Sequence, residues 1–434
     1  MYPNLYYAFK DLFGVEWTGL RFINSFGFFV AIAFLLAAMV LTRELKRKQR
    51  DGLLYGQDVK IVVGKPATIG ELFLNFVLGF ILGYKIIGLF ISPSELTADP
   101  QQFIFSSEGN WPAGIILGLF FAGIKWWEKN KQKLAKQEER MIRIWPHDRV
   151  GDIVIYAALF GFLGAKLFHN LENWKDFTEN PIEALLSFSG LTFYGGLICA
   201  AIAIFYYARK HKIGFRHLCD ATAPALILAY AVSRIGCQVS GDGDWGILNS
   251  AYLTTADSKI VPADTASFQN ALNFNKTFYL KQFPMDSLSQ VPHKTVKAAS
   301  WLPVWMVAYN YPHNVISEGV RIDGCEGQYC THLPIPVFPT PFYETLLGLL
   351  LFGLLWAIRL RLKIPGTLFA IYLIVNGLER FFIEKIRVNN KLDILGFHPT
   401  QAEMIAVALV LSGVVLFIVL KKRAGNTPAT PSKL

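Results

Sequence analysis

Residues 402–420 read AEMIAVALVLSGVVLFIVL, with one charge, Glu403, near the front and Lys421, Lys422 and Arg423 directly behind. A helix rising 1.5 Å per residue needs about 20 such positions to cross the hydrocarbon core of a bilayer. The run is too long for a strand, and its basic tail marks the end that stays in the cytoplasm. The same pattern recurs at residues 20–42, 69–91, 112–127, 151–169, 191–208, 219–236, 342–360 and 366–384. The stretch 112–127 is short and needs Trp111, Trp126 and Trp127 as interfacial anchors. The expected fold class is an all-α polytopic membrane protein of about nine spans. Composition points the same way: of 434 residues, 53% are hydrophobic and 17% charged, against about 25% charged in soluble domains. That excludes a disordered scaffold, a collagen-like repeat and a small disulfide-stapled domain.

The formal charge of +10 does not point to nucleic acid, because the basic residues sit beside the spans rather than on one face. Arg43, Lys46, Arg47, Lys48 and Arg50 follow the first span. Lys129 to Arg149 follow the third, Arg209, Lys210, Lys212 and Arg216 the fifth, Arg359, Arg361 and Lys363 the seventh, and Lys421–Arg423 the ninth. The connection at 92–111 carries Glu95, Asp99 and Glu108 with no Lys or Arg. This alternation predicts an N-terminus outside and a C-terminus in the cytoplasm. An even number of spans is the alternative, if 112–127 is re-entrant or Met1–Phe13 also crosses. Met1–Trp17 has no basic start followed by a small-residue cleavage site, so it reads as a short amphipathic element rather than a signal peptide.

Five segments follow. Residues 1–54 hold the N-terminal element and first span, and 55–144 a membrane hairpin with a basic cytoplasmic helix. Residues 145–249 hold core spans, 250–337 an external cap, and 338–434 the C-terminal spans and basic tail. Residues 128–149 are expected as a charged helix continuing the third span and resting on anionic headgroups. The region 247–337, rich in Tyr, Trp, Pro and Asn, is expected to fold as a cap rather than hang as a loop. Cys325 and Cys330, outside the membrane and five apart, suit a disulfide; two free thiols are the alternative. Only His332 stands near them, too few ligands for a structural zinc, and nothing calls for a metal or cofactor. Cys199 and Cys219 read as inert apolar residues.

Polar groups at membrane depth are costly and therefore candidates for function. The helix ending at Ser233-Arg234 runs into Gly236-Cys237-Gln238-Val239-Ser240-Gly241-Asp242-Gly243-Asp244-Trp245-Gly246. Glycines there permit positive φ and exposed N–H groups that cup an anion, and Arg234 offers a forked donor for phosphate. A snorkelling arginine before an ordinary turn is the plain alternative. Asn376-Gly377-Leu378-Glu379-Arg380, with Glu384 four residues on, places Arg380 and Glu384 on one face. That spacing serves a structural salt bridge equally well, while Glu379 points about 100° away and needs a partner of its own. Tyr194-Gly195-Gly196 opens the fifth span, where the glycines suit close helix packing or lipid approach. Tyr343-Glu344 opens the seventh, where a carboxylate at a helix start is favoured by the dipole alone. All four lie near the outer interface, and together they suit an anionic phospholipid headgroup.

These blocks, in this order, resemble the prolipoprotein diacylglyceryl transferase family. The Arg-Ile-Gly…Gly-Asp…Trp-Gly run from Arg234 to Gly246 resembles the family signature. Around it stand Tyr194–Leu197, Asp220 with Pro224, Tyr343-Glu344, Arg380 with Glu384, and Phe26-Gly27 in place of a Tyr-Gly. The resemblance covers roughly 18–50, 145–247 and 338–423. It implies a seven-helix core with 55–144 as an inserted hairpin and 250–336 as an enlarged cap. Departures occur where the family commonly has His at Tyr194, Asn at Cys237, and Tyr at Phe26 and Asn376; one extra residue precedes Trp245.

The resemblance implies an enzyme that moves the diacylglyceryl group of phosphatidylglycerol onto the lipobox cysteine of a preprolipoprotein signal peptide, releasing glycerol phosphate. Its partners would be phosphatidylglycerol, that polypeptide and membrane lipids, with no nucleic acid and no cofactor. Arg234, Arg380, Glu384, Tyr194 and Asp242 are the implied catalytic residues. Gly195, Gly196, Gly241, Gly243, Asp244, Gly246, Tyr343, Glu344, Asn376 and Phe26 are the implied binding residues. On that reading Tyr194, Asp242 or Asp244 would accept the thiol proton, and Cys237 would not be the nucleophile. A diverged relative acting on another substrate, a lipid or anion transporter using the same arginines, and a receptor-like binding protein remain the competing readings.

Overall fold

The computed structural model describes the chain except residues 92–102, 104–105, 135, 187–191, 284–286, 390–396 and 426–434. It divides into two compact units, Met1–Lys48 with Arg216–Leu434, and Gln49–Phe215.

Helices dominate both units. Among the described residues six are long and apolar enough to cross a membrane: Ser25–Arg50 (α2), Ile69–Ile91 (α3), Pro146–Glu172, whose α-helical part is Val150–Glu172 (α5), Phe215–Ser240 (α7), Thr340–Ile358 (α10) and Gln401–Gly425 (α12). Trp111–Lys131 (α4), Phe193–Lys210 (α6) and Thr367–Glu384 (α11) cover the other three expected spans. Leu411, Val415 and Ile418 of α12 are about 60% exposed, an apolar surface of the kind that faces lipid rather than water. The chain is an all-α polytopic membrane protein, its sheets among the described residues being two-stranded pairs.

In the second unit, α3 and α4 pack so closely that a Cβ on Gly79 would lie 2.5 Å from the Leu117 carbonyl. Small residues at such a seam let helices associate where no hydrophobic effect drives them. Thr68 and Glu71 form a capping box at the start of α3, and the Asn110 side chain caps α4. The charged helix expected over 128–149 does not form. Helix α4 stops at Lys131, and Glu138–Ile144 is a strand paired antiparallel with Gln57–Val63. Val59, Ile61 and Val63 share one half-buried face of that pair, and Arg143 stands opposite Asp58 with a 2.8 Å ion pair. A solvated helix of mostly like charges has nothing to pack on, whereas the strand gains a ladder and cross-strand ion pairs. Helices α5 and α6 meet through Gly164, Gly195 and Gly196. A Cβ on Gly195 would lie 2.3 Å from that of Phe168, and one on Gly196 2.8 Å from the Gly161 carbonyl.

In the first unit, Leu5–Phe13 (α1) is capped by Asn4, stops at Gly14 in the left-handed region, and buries Leu5 and Tyr6. Helix α2 crosses α7 at Gly236, which faces Phe26 and Phe29. Helices α7 and α10 meet at Gly348 against Ala231, and α11 and α12 at Gly377 and Gly413. Asp220 of α7 accepts the backbone N–H groups of Gly366 at 2.7 Å and Phe369 at 3.0 Å. It thereby caps α11, with Lys48 3.7 Å away. The described residues of 247–337, the segment expected as a cap, form short strand pairs with helices Thr265–Phe274 (α8) and Lys276–Gln282 (α9). Its core packs Phe268, Leu272, Tyr279, Phe283 and Ile335 with Trp245 of the glycine turn. Cys325 and Cys330 are disulfide-bonded.

Candidate active site

Glu344, fully buried one turn into α10, is the hub of the polar cluster. Its Oε2 lies 3.3 Å from Arg234 Nε, and its Oε1 lies 3.3 Å from Arg380 Nη1 and 3.4 Å from Arg387 Nη1. The Tyr230 hydroxyl donates to the same Oε1 at 2.9 Å and contacts Glu379 Oε1 at 3.3 Å. Tyr230 precedes Arg234 by one helical turn, so the two side chains share a face of α7; the guanidinium stands 5.3 Å from the ring centroid. The partner that Glu379 needs is therefore Tyr230.

Arg234 and Arg387 both pair with Asp244. The backbone explains how residues 234, 244, 344 and 387 meet. Gly241 and Gly243 turn the chain back after α7 at φ +66° and +95°, values that L side chains rarely adopt. Gly246 then donates to the Phe338 carbonyl at 2.9 Å and Ile247 to the Ile386 carbonyl at 2.9 Å. These two bonds clamp the turn, the entry to α10 and the exit of α11 together. A Cβ on Gly246 would lie 2.6 Å from the Ile386 carbonyl, so the clamp requires glycine. The Thr340 hydroxyl adds a bond to the Asp244 carbonyl at 2.9 Å.

Arg380 reaches Glu384 at 3.2 Å, the pairing their spacing suggests. Glu384 is held in turn by Asn389 at 2.5 Å and Thr400 at 2.8 Å. Arg234, Arg380 and Arg387 are 18%, 24% and 9% exposed, and Asp244 34%, so the cluster is shielded but not sealed. Arg387 Nε is buried and has no hydrogen-bond partner among the described residues. Burial opposes charge on Asp244, but Arg387 and Arg234 overcome it and hold the carboxyl down at about 2. Asp242 differs: burial pushes its carboxyl above the ordinary range.

The sequence candidates divide. Arg234, Arg380, Glu384, Asp244 and Glu344 come together, with Gly241, Gly243 and Gly246 shaping the turn and Asp242 within it. Cys237 Sγ lies 3.7 Å from Arg234 Nη1. Asn376 stands one turn before Arg380, half-buried, and Phe26 packs at the Gly236 crossing. The Tyr343 hydroxyl donates to the Met306 carbonyl of the cap at 2.6 Å, which ties it to the cap. Tyr194, Gly195 and Gly196 belong to α6 of the second unit, where both glycines serve helix packing. Among the described residues no group of three or more His, Cys, Asp or Glu is placed to hold a metal. Two participants escape a reading of the sequence. Tyr230 is signalled only by its spacing from Arg234, and Arg387 lies beyond the end of α11, where no helical register places it.

A family model described as prolipoprotein diacylglyceryl transferase matches residues 111–419. The phosphatidylglycerol–prolipoprotein diacylglyceryl transferase of Clostridium novyi (strain NT) is 25% identical over 272 residues, 62% of this chain and 79% of its own. Its namesake in Staphylococcus haemolyticus (strain JCSC1435) is 23% identical, covering 70% of this chain and 80% of its own. That of Streptococcus suis (strain 05ZYH33) is 24% identical, covering 73% and 87%.

Proposed function

The chain belongs to the prolipoprotein diacylglyceryl transferase family, and from that premise we propose that the guanidinium–carboxylate cluster around Glu344 is its transfer site. It is a membrane transferase that moves the diacylglyceryl group of phosphatidylglycerol to a prolipoprotein. The acceptor is the thiol of a lipobox cysteine at the end of a signal peptide. The sulfur attacks the glyceryl carbon, an S–C bond forms, and the C–O bond to phosphate breaks. Glycerol phosphate leaves with the electron pair. No cofactor is called for, since the chemistry is displacement at carbon with negative charge growing on a phosphate.

One observation carries this reading: three arginines from two helices and a following turn converge on one buried carboxylate while Arg234 and Arg380 stay partly accessible. Carboxylates hold the guanidiniums extended and aimed before the lipid arrives. Such preorganised donors stabilise charge developed in the transition state without reorganising. Arg234 takes the phosphate, assisted by the Gly241–Gly243 turn, and Arg380, oriented by Glu344 and Glu384, stabilises the leaving group. The thiol proton goes to Asp242, because a carboxyl raised by burial is a better acceptor than Asp244, which the arginines keep ionised. The site faces the outer leaflet of a bacterial inner membrane, with the N-terminus outside and the C-terminus in the cytoplasm; the charge alternation of the connections supports that orientation.

The test is transfer in a purified system of protein, phosphatidylglycerol and a lipobox peptide, with product read by mass. Arg234→Ala and Arg380→Ala are each expected to lose at least about 100-fold in rate. Wild-type turnover in both variants removes the proposed site. Complementation of a strain lacking the family enzyme separates this activity from that of a diverged relative.

A further inference from the structure

A second feature of the first unit is left unexplained by the transfer chemistry. A cavity of about 710 Å³ opens where the N-terminal segment meets the cap, a volume within the range of ligand sites. Gln238 and Val239, in the last turn of α7, line it. Gln238 follows Arg234 by four residues, so it shares the Arg234 face about 6 Å further along the helix axis. Tyr2 and Tyr7 come from the N-terminal segment, and every residue of the disulfide loop from Cys325 to Cys330 contributes.

The lining suits a polypeptide rather than an acyl chain. It combines phenols with charged groups, and tyrosine gives large, rigid contact area with a polar tip at low entropic cost. The walls are braced in advance. Tyr2 donates its backbone N–H to the Val239 carbonyl at 2.9 Å and its hydroxyl to Asp11 at 2.5 Å. The rings of Tyr7 and Tyr329 meet edge-on at 5.9 Å, joining one wall to the other. The disulfide closes the loop wall on itself. A preformed wall removes part of the ordering cost of binding a flexible chain.

We propose that this cavity docks the stretch of acceptor polypeptide that follows the modified cysteine and leads away from the bilayer. The proposal rests on the transferase reading above. It assigns the cap a task the transfer chemistry does not require: holding the acceptor chain in line with the Arg234 face.

Two synthetic peptides test it. They share a membrane segment and an acceptor cysteine; one stops at the cysteine, and the other continues for about eight residues, roughly 26 Å of extended chain. The longer peptide is expected to show a KM about tenfold lower on the unaltered protein. Tyr7→Ala and Tyr329→Ala should each raise the KM of the longer peptide by about tenfold. Neither should change kcat, the phosphatidylglycerol KM, or turnover of the shorter peptide. Equal KM for the two peptides on the unaltered protein, or variants that slow both peptides alike, overturns the proposal. A benzophenone group placed shortly after the cysteine gives a readout that needs no variant and no turnover. The expected adduct maps to residues 325–330, and one mapping elsewhere refutes the docking site. Crosslinking at 325–330 without transfer would sink the transferase reading and leave the docking site standing. Transfer with the adduct elsewhere would do the reverse.

Discussion

Replacing Glu344 with glutamine keeps the shape and the acceptor for the Tyr230 hydroxyl but removes the charge that three guanidiniums share. At an effective dielectric of about 20, unit charges this close attract by about 5 kcal/mol per pair. All three separations are 3.3–3.4 Å, and none of the arginine side chains is more than 24% exposed. The gross attraction is therefore about 15 kcal/mol, before desolvation and the mutual repulsion of the three cations are set against it. Breaking a buried pair by removing one partner leaves a net cost of about 3–5 kcal/mol. The freed guanidiniums rotate toward whatever anion is present. Binding of the lipid phosphate in the ground state should then hold or tighten, while the arrangement suited to the departing phosphate is lost. The expectation is a kcat about 10²–10³-fold lower, with the phosphatidylglycerol KM within about threefold of wild type or below it. The assay is steady-state transfer to a lipobox peptide by purified protein, with both constants determined. A kcat within about threefold of wild type, or a defect confined to KM, would show that Glu344 is a structural counterion and that the arginines need no orientation.

If Asp242 accepts the thiol proton, kcat/KM must rise with pH as that carboxyl ionises. Because burial raises it, the acid limb should lie above the ordinary carboxylate value of about 3.9; Asp242→Asn should abolish the limb, and a pH–rate profile decides. Asp220→Asn weakens the cap on α11 and strands Lys48, so the unfolding midpoint should fall by the equivalent of about 1–3 kcal/mol while the surviving enzyme keeps its kcat. An unchanged midpoint would refute the capping role. Cys237→Ser should retain turnover within about threefold, since the reacting thiol comes from the acceptor; loss of turnover with lipid binding intact would make Cys237 the nucleophile.

Much of the membrane architecture was legible along the chain. The described part of each apolar run expected as a span falls largely on a helix, because a stretch such as 402–420 satisfies its backbone internally wherever it sits. Arg380 with Glu384 was also legible, since a spacing of four on one helix is a contact in almost any context. The strand at Glu138–Ile144 was not. Its partner Gln57–Val63 lies some eighty residues upstream, and a locally charged sequence carries no sign of it. Glu344 was legible as a candidate but not as the hub of the cluster. At a helix start a carboxylate needs no explanation beyond the dipole, and its burial among three arginines appears only when three distant segments are assembled.

By itself, then, the sequence determined that the chain is a polytopic helical membrane protein, which polar residues stand within its apolar stretches, and which family their order resembles. These are properties of spacing and transfer free energy, read within one stretch of chain at a time. The tertiary structure alone decided who pairs with whom. Asp244 meets Arg387, Glu344 meets Arg234, and Tyr230 meets Glu379 across separations of 110 to 149 residues. Those contacts depend on a few ångströms of helix crossing and on the Gly246 clamp. Packing sets both, and no local pattern encodes either.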